Sequence, residues 1–325
     1  MKPILSLAAL FLVTPLAETI AYDLQGGETL LRTFEAHATY ERSGIEIEVD
    51  GEELPDVEAP DLTMDSLERV VVRDEIGEAE GGQPTDFRRT FEELVQETSY
   101  ESEDEEAEFV SGSDLEGITV RFLWDDEDET YYAELTDEDD DVDADTLEWL
   151  TADMDLAGFL PEGEVEEGES WDIDARPYLS LMWPSGLVGW YDTENEEGPS
   201  EFGIEQDRLI VENLEGEGTV TFQGVEEEEG LRLALLWVEL EVSTEASGSP
   251  RDGLEVEVEM ERAIEGTIRW DLTHGHLYDA DLETDSEWSR TEVFPIEDED
   301  GAEHEVRQTE SQEGTIRYIA SVERE

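Results

Sequence analysis

The chain has 325 residues, 94 of them acidic against 18 basic, no cysteine, and a formal net charge of -76. Such a charge repels nucleic acid and anionic membrane surfaces, and the missing cysteines exclude both a disulfide framework and a lipid-attachment cysteine. Hydrophobic residues still make up 37%, with eight Trp, nine Tyr and ten Phe, a supply that builds a core rather than a disordered chain.

Residues 1–21 read as an export signal. Lys2 is the charged start, Ile4 to Leu16 is a short apolar run, and Thr19-Ile20-Ala21 supplies small residues around a cleavage site. The run is too short for a membrane span and contains Pro15, and no later segment approaches transmembrane length. Ile45 to Val49 alternates with period two, as a half-buried strand does, and Asp50-Gly51 turns the chain. Pro55 to Pro60 reads as a loop and Glu68 to Asp74 as a strand. Phe87 to Tyr100 fits a strand better than a short helix, given its neighbours.

Ile118 to Trp124 and Tyr131 to Leu135 form a hairpin around an acidic tip. From Thr146, Leu147, Leu150, Met154 and Ala157 fall at helical spacing, which predicts a helix around 146–157 that ends at Gly158 and Pro161. Tyr178 to Trp190 is rich in large apolar residues and is broken by Pro184-Ser185-Gly186. Thr193 to Ser200 reads as a polar loop and Leu209 to Val211 as a short strand. Thr219 to Phe222, Leu231 to Val242, Leu254 to Met260, Ala263 to Leu272, Leu277 to Trp288 and Gly314 to Val322 are strands. The segment Leu254 to Met260 alternates strictly between apolar residues and carboxylates. The expected fold is mainly β (α+β), with antiparallel sheets, a curved half-barrel as one arrangement, and one central helix. The chain divides into an acidic β-rich part over 22–158 and an antiparallel β part over 159–325, which can also form one continuous domain.

The joint between those parts is Leu160-Pro161-x-x-x-Val165-x-x-Gly168-x-x-Trp171. Pro161 stops the helix, Gly168 turns the backbone, and Trp171 starts a strand and anchors the core. With Trp270, Asp271, Gly275 and Leu277 further on, this pattern resembles a family of bacterial exported proteins of unassigned function, and more loosely lipoprotein-carrier-like β folds. The resemblance spans roughly residues 140 to 290. It implies an envelope or secreted protein and carries over no catalytic residue.

No G-x-S-x-G, phosphate-binding loop or dinucleotide fingerprint occurs, so the expectation is no enzyme activity and no cofactor. His274-Gly-His276 places two imidazoles at a hairpin turn, but no third ligand is evident from spacing, and a polar turn without metal is the preferred reading. The acid run Asp137, Asp139, Asp141, Asp145 and Glu148 carries Val142 where a calcium loop needs glycine, so it reads as solvated, with nonspecific cation association. Leu181, Trp183, Leu187 and Trp190 either line a groove for an apolar ligand or pack as core, and core is the preferred reading.

The sequence thus points to an exported, non-enzymatic protein, periplasmic or extracellular, soluble after signal cleavage. It has a binding or structural role and an apolar ligand or an envelope protein as partner. Alternatives are a periplasmic carrier of lipid or lipoprotein acyl chains and a carboxylate-dependent hydrolase. The spread of carboxylates over the chain resembles halophilic adaptation, in which molar salt screens self-repulsion by cutting the Debye length to about 3 Å. The expected consequence is an unfolding midpoint that climbs steeply with salt. Equal midpoints in dilute buffer and in molar salt, followed by circular dichroism, would defeat the halophilic reading.

Overall fold

The computed structural model describes residues 17–54, 61–102, 106–137, 139–140, 142, 144–193, 201–251, 253–297 and 302–325. Strands β1 (Glu18–Thr19), β2 (Thr29–Val49), β3 (Glu52–Glu53), β4 (Leu62–Glu80), β5 (Gln83–Ser102), β6 (Glu106–Gly112), β7 (Thr119–Asp125) and β8 (Thr130–Leu135) come first. A mixed segment follows: helix α1 (Ala144–Glu148), a 3-10 turn (Ala157–Phe159), β9 (Glu164–Val165), β10 (Ser170–Asp174), α2 (Arg176–Met182), β11 (Tyr191–Asp192) and α3 (Glu201–Asn213). Five long strands complete the chain: β12 (Leu214–Glu228), β13 (Leu231–Arg251), β14 (Leu254–Asp271), β15 (His276–Glu297) and β16 (Glu303–Arg324).

The fold is mainly β and antiparallel, as the alternating apolar and acidic residues require. Fourteen strands form one sheet that does not close into a barrel; its main path runs β10-β12-β13-β14-β15-β16-β2-β4-β5-β6-β11. Strands of about 20 residues are roughly 65 Å long at the usual rise per residue. Period two is visible in β14, where Leu254, Val256, Val258 and Met260 are buried and the intervening glutamates lie on the other face. Phe87 to Tyr100 lies within β5.

β16 pairs with β2 from Val306↔Val49 to Arg324↔Leu30. Residues before 158 and after 159 therefore share one sheet. They also share one core, in which Phe34, Val70 and Phe91 join the same cluster as Leu236, Val238 and Leu282. The mixed segment supplies the filling: Met154, Phe159, Val165, Tyr178 and Leu181 are buried in that cluster.

The helix expected around 146–157 is shorter in the structure. α1 ends at Glu148, Leu150 bridges to Gly186 in strand fashion, and Leu156 takes a left-handed φ of 56° before the 3-10 turn. Asp153 Oδ1 accepts the N–H groups of Asp155 and Ala157, and such local carboxylate bonds compete with a helical ladder. Two other helices, α2 and α3, take its place. Leu209 to Val211 belongs to α3 rather than to a strand, because Ile210 is buried as part of a helical face against Leu254 and Val256. The expected loop 55–60, positions 194–200 of the loop read over 193–200, and positions 1–16 of the export segment lie outside the described residues. Glu18 to Ala21 are built into the fold. Glu18 pairs with Val165 in a two-stranded ribbon and with Arg232 at 2.7 Å, Ile20 is buried, and the Ala21 carbonyl accepts the Trp270 indole N–H at 3.2 Å. A cut after Ala21 would remove these contacts.

A buried charge quartet fastens the mixed segment to the sheet. Asp74 on β4 accepts Arg32 Nη1 at 2.7 Å and, with both oxygens, Arg89 Nε at 2.8 Å and Nη2 at 2.7 Å. Arg32 Nη2 donates to Asp155 Oδ2 at 2.5 Å. Arg89 also donates to the carbonyls of Thr151 and Ala152 and to Ser185 Oγ, each at 2.9 Å, and its guanidinium lies over the rings of Phe87 and Phe122. Two cations and two anions balance, so no net charge is buried. Burial acts to raise the Asp155 carboxyl, but Arg32 outweighs it and holds the carboxyl below its ordinary range. Breaking one member leaves an uncompensated buried cation, which costs about 3–5 kcal/mol. Asp74→Asn is therefore expected to lose about that much stability in urea titration. Asp174→Asn, at the exposed pair with Arg176, is expected to stay within about 0.5 kcal/mol. Equal effects would remove the quartet from its structural role.

Candidate functional site

The strand register builds a surface that the sequence does not show. On the exposed face of the strands from β10 to β2, residues directly opposite one another form rows. One row is Asp174–Glu217–Glu241–Ala263–Asp285–Thr315–Thr39. The next is Asp172–Thr219–Glu239–Glu265–Glu283–Arg317–His37. A third places Glu261, Glu287, Glu313 and Glu41 face to face on four successive strands. The face is concave. A trough of about 1300 Å³ is lined by residues of the first two rows with Ile173, Leu240, Ile264 and Ile316 between them, and an adjoining one of about 890 Å³ mainly by the first and third. Like charges directly opposite one another on a sheet destabilise it by a fraction of a kcal/mol per pair, roughly 0.2–1. Arg317, held by Asp281 at 2.7 Å, is the arginine of the second row.

Behind the trough the sheet holds a second polar device. Arg262 alternates out of the acidic face and donates to Tyr178 Oη at 2.5 Å, to Ser286 Oγ at 3.2 Å and to Tyr40 Oη at 3.4 Å. Tyr178 and Tyr318 share a hydrogen bond at 3.0 Å. Burial pushes both phenols above their ordinary values. This cluster ties α2 to β2, β14, β15 and β16.

Two half-buried carboxyls lie off the acidic face. Glu68 follows the buried parity of Val70 and Val72 on β4, and Asp207 lies on α3. Burial, with the charge of Asp207 second, pushes Glu68 up to about 8, and burial pushes Asp207 up to about 7.

At the end of the sheet, residues 22–24 thread between two turns. Asp23 N–H donates to the Gly275 carbonyl and Leu24 N–H to the Gly82 carbonyl, both at 2.9 Å. Gly82 and Gly275 have φ of +90° and +69°, and a Cβ on either would lie 2.6 Å from the backbone of Tyr22 or Asp23, so only glycine fits. The β14–β15 turn brings Asp271, His274 and His276 together. Asp271 Oδ1 accepts the N–H groups of Thr273 at 2.7 Å and His274 at 3.2 Å, and Oδ2 lies 2.6 Å from His274 Nδ1. Burial would raise the Asp271 carboxyl, but its bond to His274 and the Thr273 N–H hold it low.

The residues read from sequence occupy other places. Leu181 on α2 and Leu187 are buried in the core, while Trp183 and Trp190 are partly buried and packed against it. They do not line the troughs. Trp171 donates its indole N–H to the Phe159 carbonyl at 3.1 Å, Val165 is buried in the ribbon with β1, Gly168 has φ +87°, and Leu160 followed by Pro161 closes the 3-10 turn. The motif thus joins the mixed segment to β10. Asp141 of the acid run lies outside the described residues. What sequence reasoning missed is the register: alternation was legible, but which glutamates face each other is decided by pairing.

No family model matches the chain and no curated protein matches it. Among solved structures it is similar to an outer membrane channel from Pseudomonas putida F1, with 9% identity, 93% of this chain and 98% of that chain covered, and a TM-score of 0.24. OpdQ of Pseudomonas aeruginosa gives 5% identity, 91% and 99% coverage and a TM-score of 0.18. Likeness at this level carries no argument about fold or function. Among the described residues no helix is long and apolar enough to cross a membrane.

This half-buried pair predicts a pH dependence. A carboxyl whose folded pKa is raised keeps its proton in the folded state while the unfolded chain has released it. Stability is then full below the ordinary carboxyl range and declines as pH rises toward about 7 and 8, where Asp207 and Glu68 ionise. Glu68→Gln is expected to flatten that decline and to gain a few kcal/mol at most near pH 9, measured by chemical unfolding at several pH values. A variant with the wild-type slope would rule the pair out as its source.

Proposed function

We propose that the protein is an exported, non-enzymatic binding protein for a salt-rich medium, and that its concave carboxylate face takes a cationic ligand. One observation carries this reading: the register sets Glu261, Glu287, Glu313 and Glu41 opposite one another, beside rows containing Glu217, Glu241 and Asp285, in a trough large enough for a peptide segment. A general surplus of carboxylates accounts for solubility in brine wherever the residues sit. Stacking them face to face across a concavity adds repulsion and focuses the negative potential, and a bound cation relieves both. Recognition is through multiple weak charge pairs, so affinity falls with ionic strength. Export rests on the apolar start of the sequence, with its charged Lys2.

The acyl-chain carrier has less support. The space between helices and sheet is filled by Tyr178, Leu181 and Phe159, and the troughs described are lined largely by carboxylates and hydroxyls. The hydrolase reading would draw on Glu68 and Asp207, whose raised pKa values suit proton transfer, but Glu68 lies on the sheet face opposite the trough.

A hexa-arginine peptide titrated calorimetrically at two salt concentrations tests the binding reading. Glu241→Gln, Glu265→Gln and Glu287→Gln combined are expected to weaken binding about tenfold, near 1.4 kcal/mol. Neutralising the exposed Glu226 and Glu227 at the end of β12 and Glu229 in the turn before β13 removes the same charge and is expected to change it less than about twofold. If both triples weaken binding equally, the diffuse field of the whole surface is responsible and the trough is not a site.

A further inference from the structure

We propose that Asp271, His274 and His276 form a site for a divalent first-row metal ion, zinc foremost. The inference is independent of the trough. One carboxylate oxygen and two imidazole nitrogens, one from each residue, all lie within 4.8 Å of one another. They come from a single hairpin turn. Asp271 ends β14, His276 opens β15 directly opposite it, and His274 sits in the turn between them, with Gly275 providing the reversal.

His276 is the observation that points to a ligand. The residue is 3% exposed. Nδ1 lies 2.6 Å from the Leu277 carbonyl oxygen, which can only accept, so Nδ1 carries a hydrogen, and in the neutral ring Nε2 is the nitrogen with the lone pair. That Nε2 is buried and has no hydrogen-bond partner. A buried polar atom left unpaired costs about 1–3 kcal/mol, so native proteins rarely leave one without reason. A histidine that donates one ring N–H to a backbone carbonyl and offers the other nitrogen is the arrangement found at metal centres, where the carbonyl fixes the tautomer and orients the ring.

Asp271 is prepared in the same way. Its Oδ1 is held by the N–H groups of Thr273 and His274, which leaves Oδ2 directed at His274 Nδ1. These two atoms stand 2.6 Å apart, at hydrogen-bond distance. A metal ion bound there takes the place of any proton between them, which passes to solvent, and no electron moves. Neighbouring ligands in a tetrahedral shell with bonds of about 2.0–2.1 Å stand about 3.3 Å apart, so the pair opens by less than about 1 Å. Two imidazoles with one carboxylate favour zinc, cobalt, nickel or copper over magnesium and calcium, which prefer all-oxygen shells. Asp23, packed on Gly275, places a further carboxylate beside the turn. Three protein ligands leave a fourth position for water or a ligand on the side of His274, which is 27% exposed.

A surface with so many carboxylates binds cations weakly everywhere, so the test needs a probe that reports ligand type. The full chain, in molar sodium chloride with excess magnesium, is titrated with cobalt(II). The expected result is a visible d–d absorption band of nitrogen-ligated cobalt that saturates at a single equivalent and is displaced by zinc. His276→Ala and His274→Ala are each expected to lower affinity at least about tenfold, while His304→Ala, at the other end of the sheet beside Asp50, leaves it unchanged. Circular dichroism checks the fold of each variant. If His276→Ala does not fold, His274→Ala decides, because its ring is partly exposed. Absence of a saturable band, or a His274→Ala variant with wild-type affinity, would overturn the site.

Discussion

The fold depends on a buried, neutral set of charges. A wide sheet with strands of this length has a hydrophobic face that must be covered, and here the cover is a segment with little regular structure of its own. Residues 150–188 hold few helical turns, so they cannot be placed by helix packing alone. Arg32, Asp74 and Arg89 from three adjacent strands reach into that segment and hold Asp155 and the carbonyls of Thr151 and Ala152, together with the Ser185 hydroxyl. Arginine suits the task because its planar fork satisfies a carboxylate with two bonds and still has donors for carbonyls. Hydrophobic burial makes the cover stick; the quartet decides where it sits.

The same division runs through the whole sheet. One face is apolar and shared by both parts of the chain. The other is carboxylate, and its strand register brings like charges into opposition. Several arginines outside the quartet are placed where they offset this on the exposed surface: Arg121 pairs with Asp86, Arg269 with Asp279 and Glu228, and Arg317 with Asp281. Arg262 is different. Its partners are phenols and a hydroxyl, so it lends positive potential to the sheet from behind the acidic face. The exposed pairs of Arg121, Arg269 and Arg317 are screened by solvent, so they shape the field more than the stability.

Local alternation was readable in single segments. Leu254 to Met260 announces its apolar and acidic sides, and Gly81-Gly82 and Gly275 announce turns. The helix around 146–157 was not readable as it stands, because apolar spacing alone cannot register that Asp153 and Asp155 bond to local backbone and to Arg32. Leu209 to Val211 misled for a related reason: a β-branched run reads as strand until a neighbouring sheet buries one helical face. Of the candidate sites, the imidazole pair was visible as His274-Gly-His276. Asp271 lay within the same short stretch, yet its role is apparent only when pairing sets it opposite His276.

By itself the sequence determined the charge, the mainly β antiparallel class, the alternation of faces and the positions of the turns, because these follow from residue type and short-range periodicity. Only the tertiary structure decided which carboxylates confront one another, which arginines are buried, that both parts of the chain share one sheet, and that a carboxylate and two imidazoles converge at one turn. Those features depend on register and on contacts between residues far apart in sequence, and a shift of one residue in pairing would send each of these side chains to the opposite face.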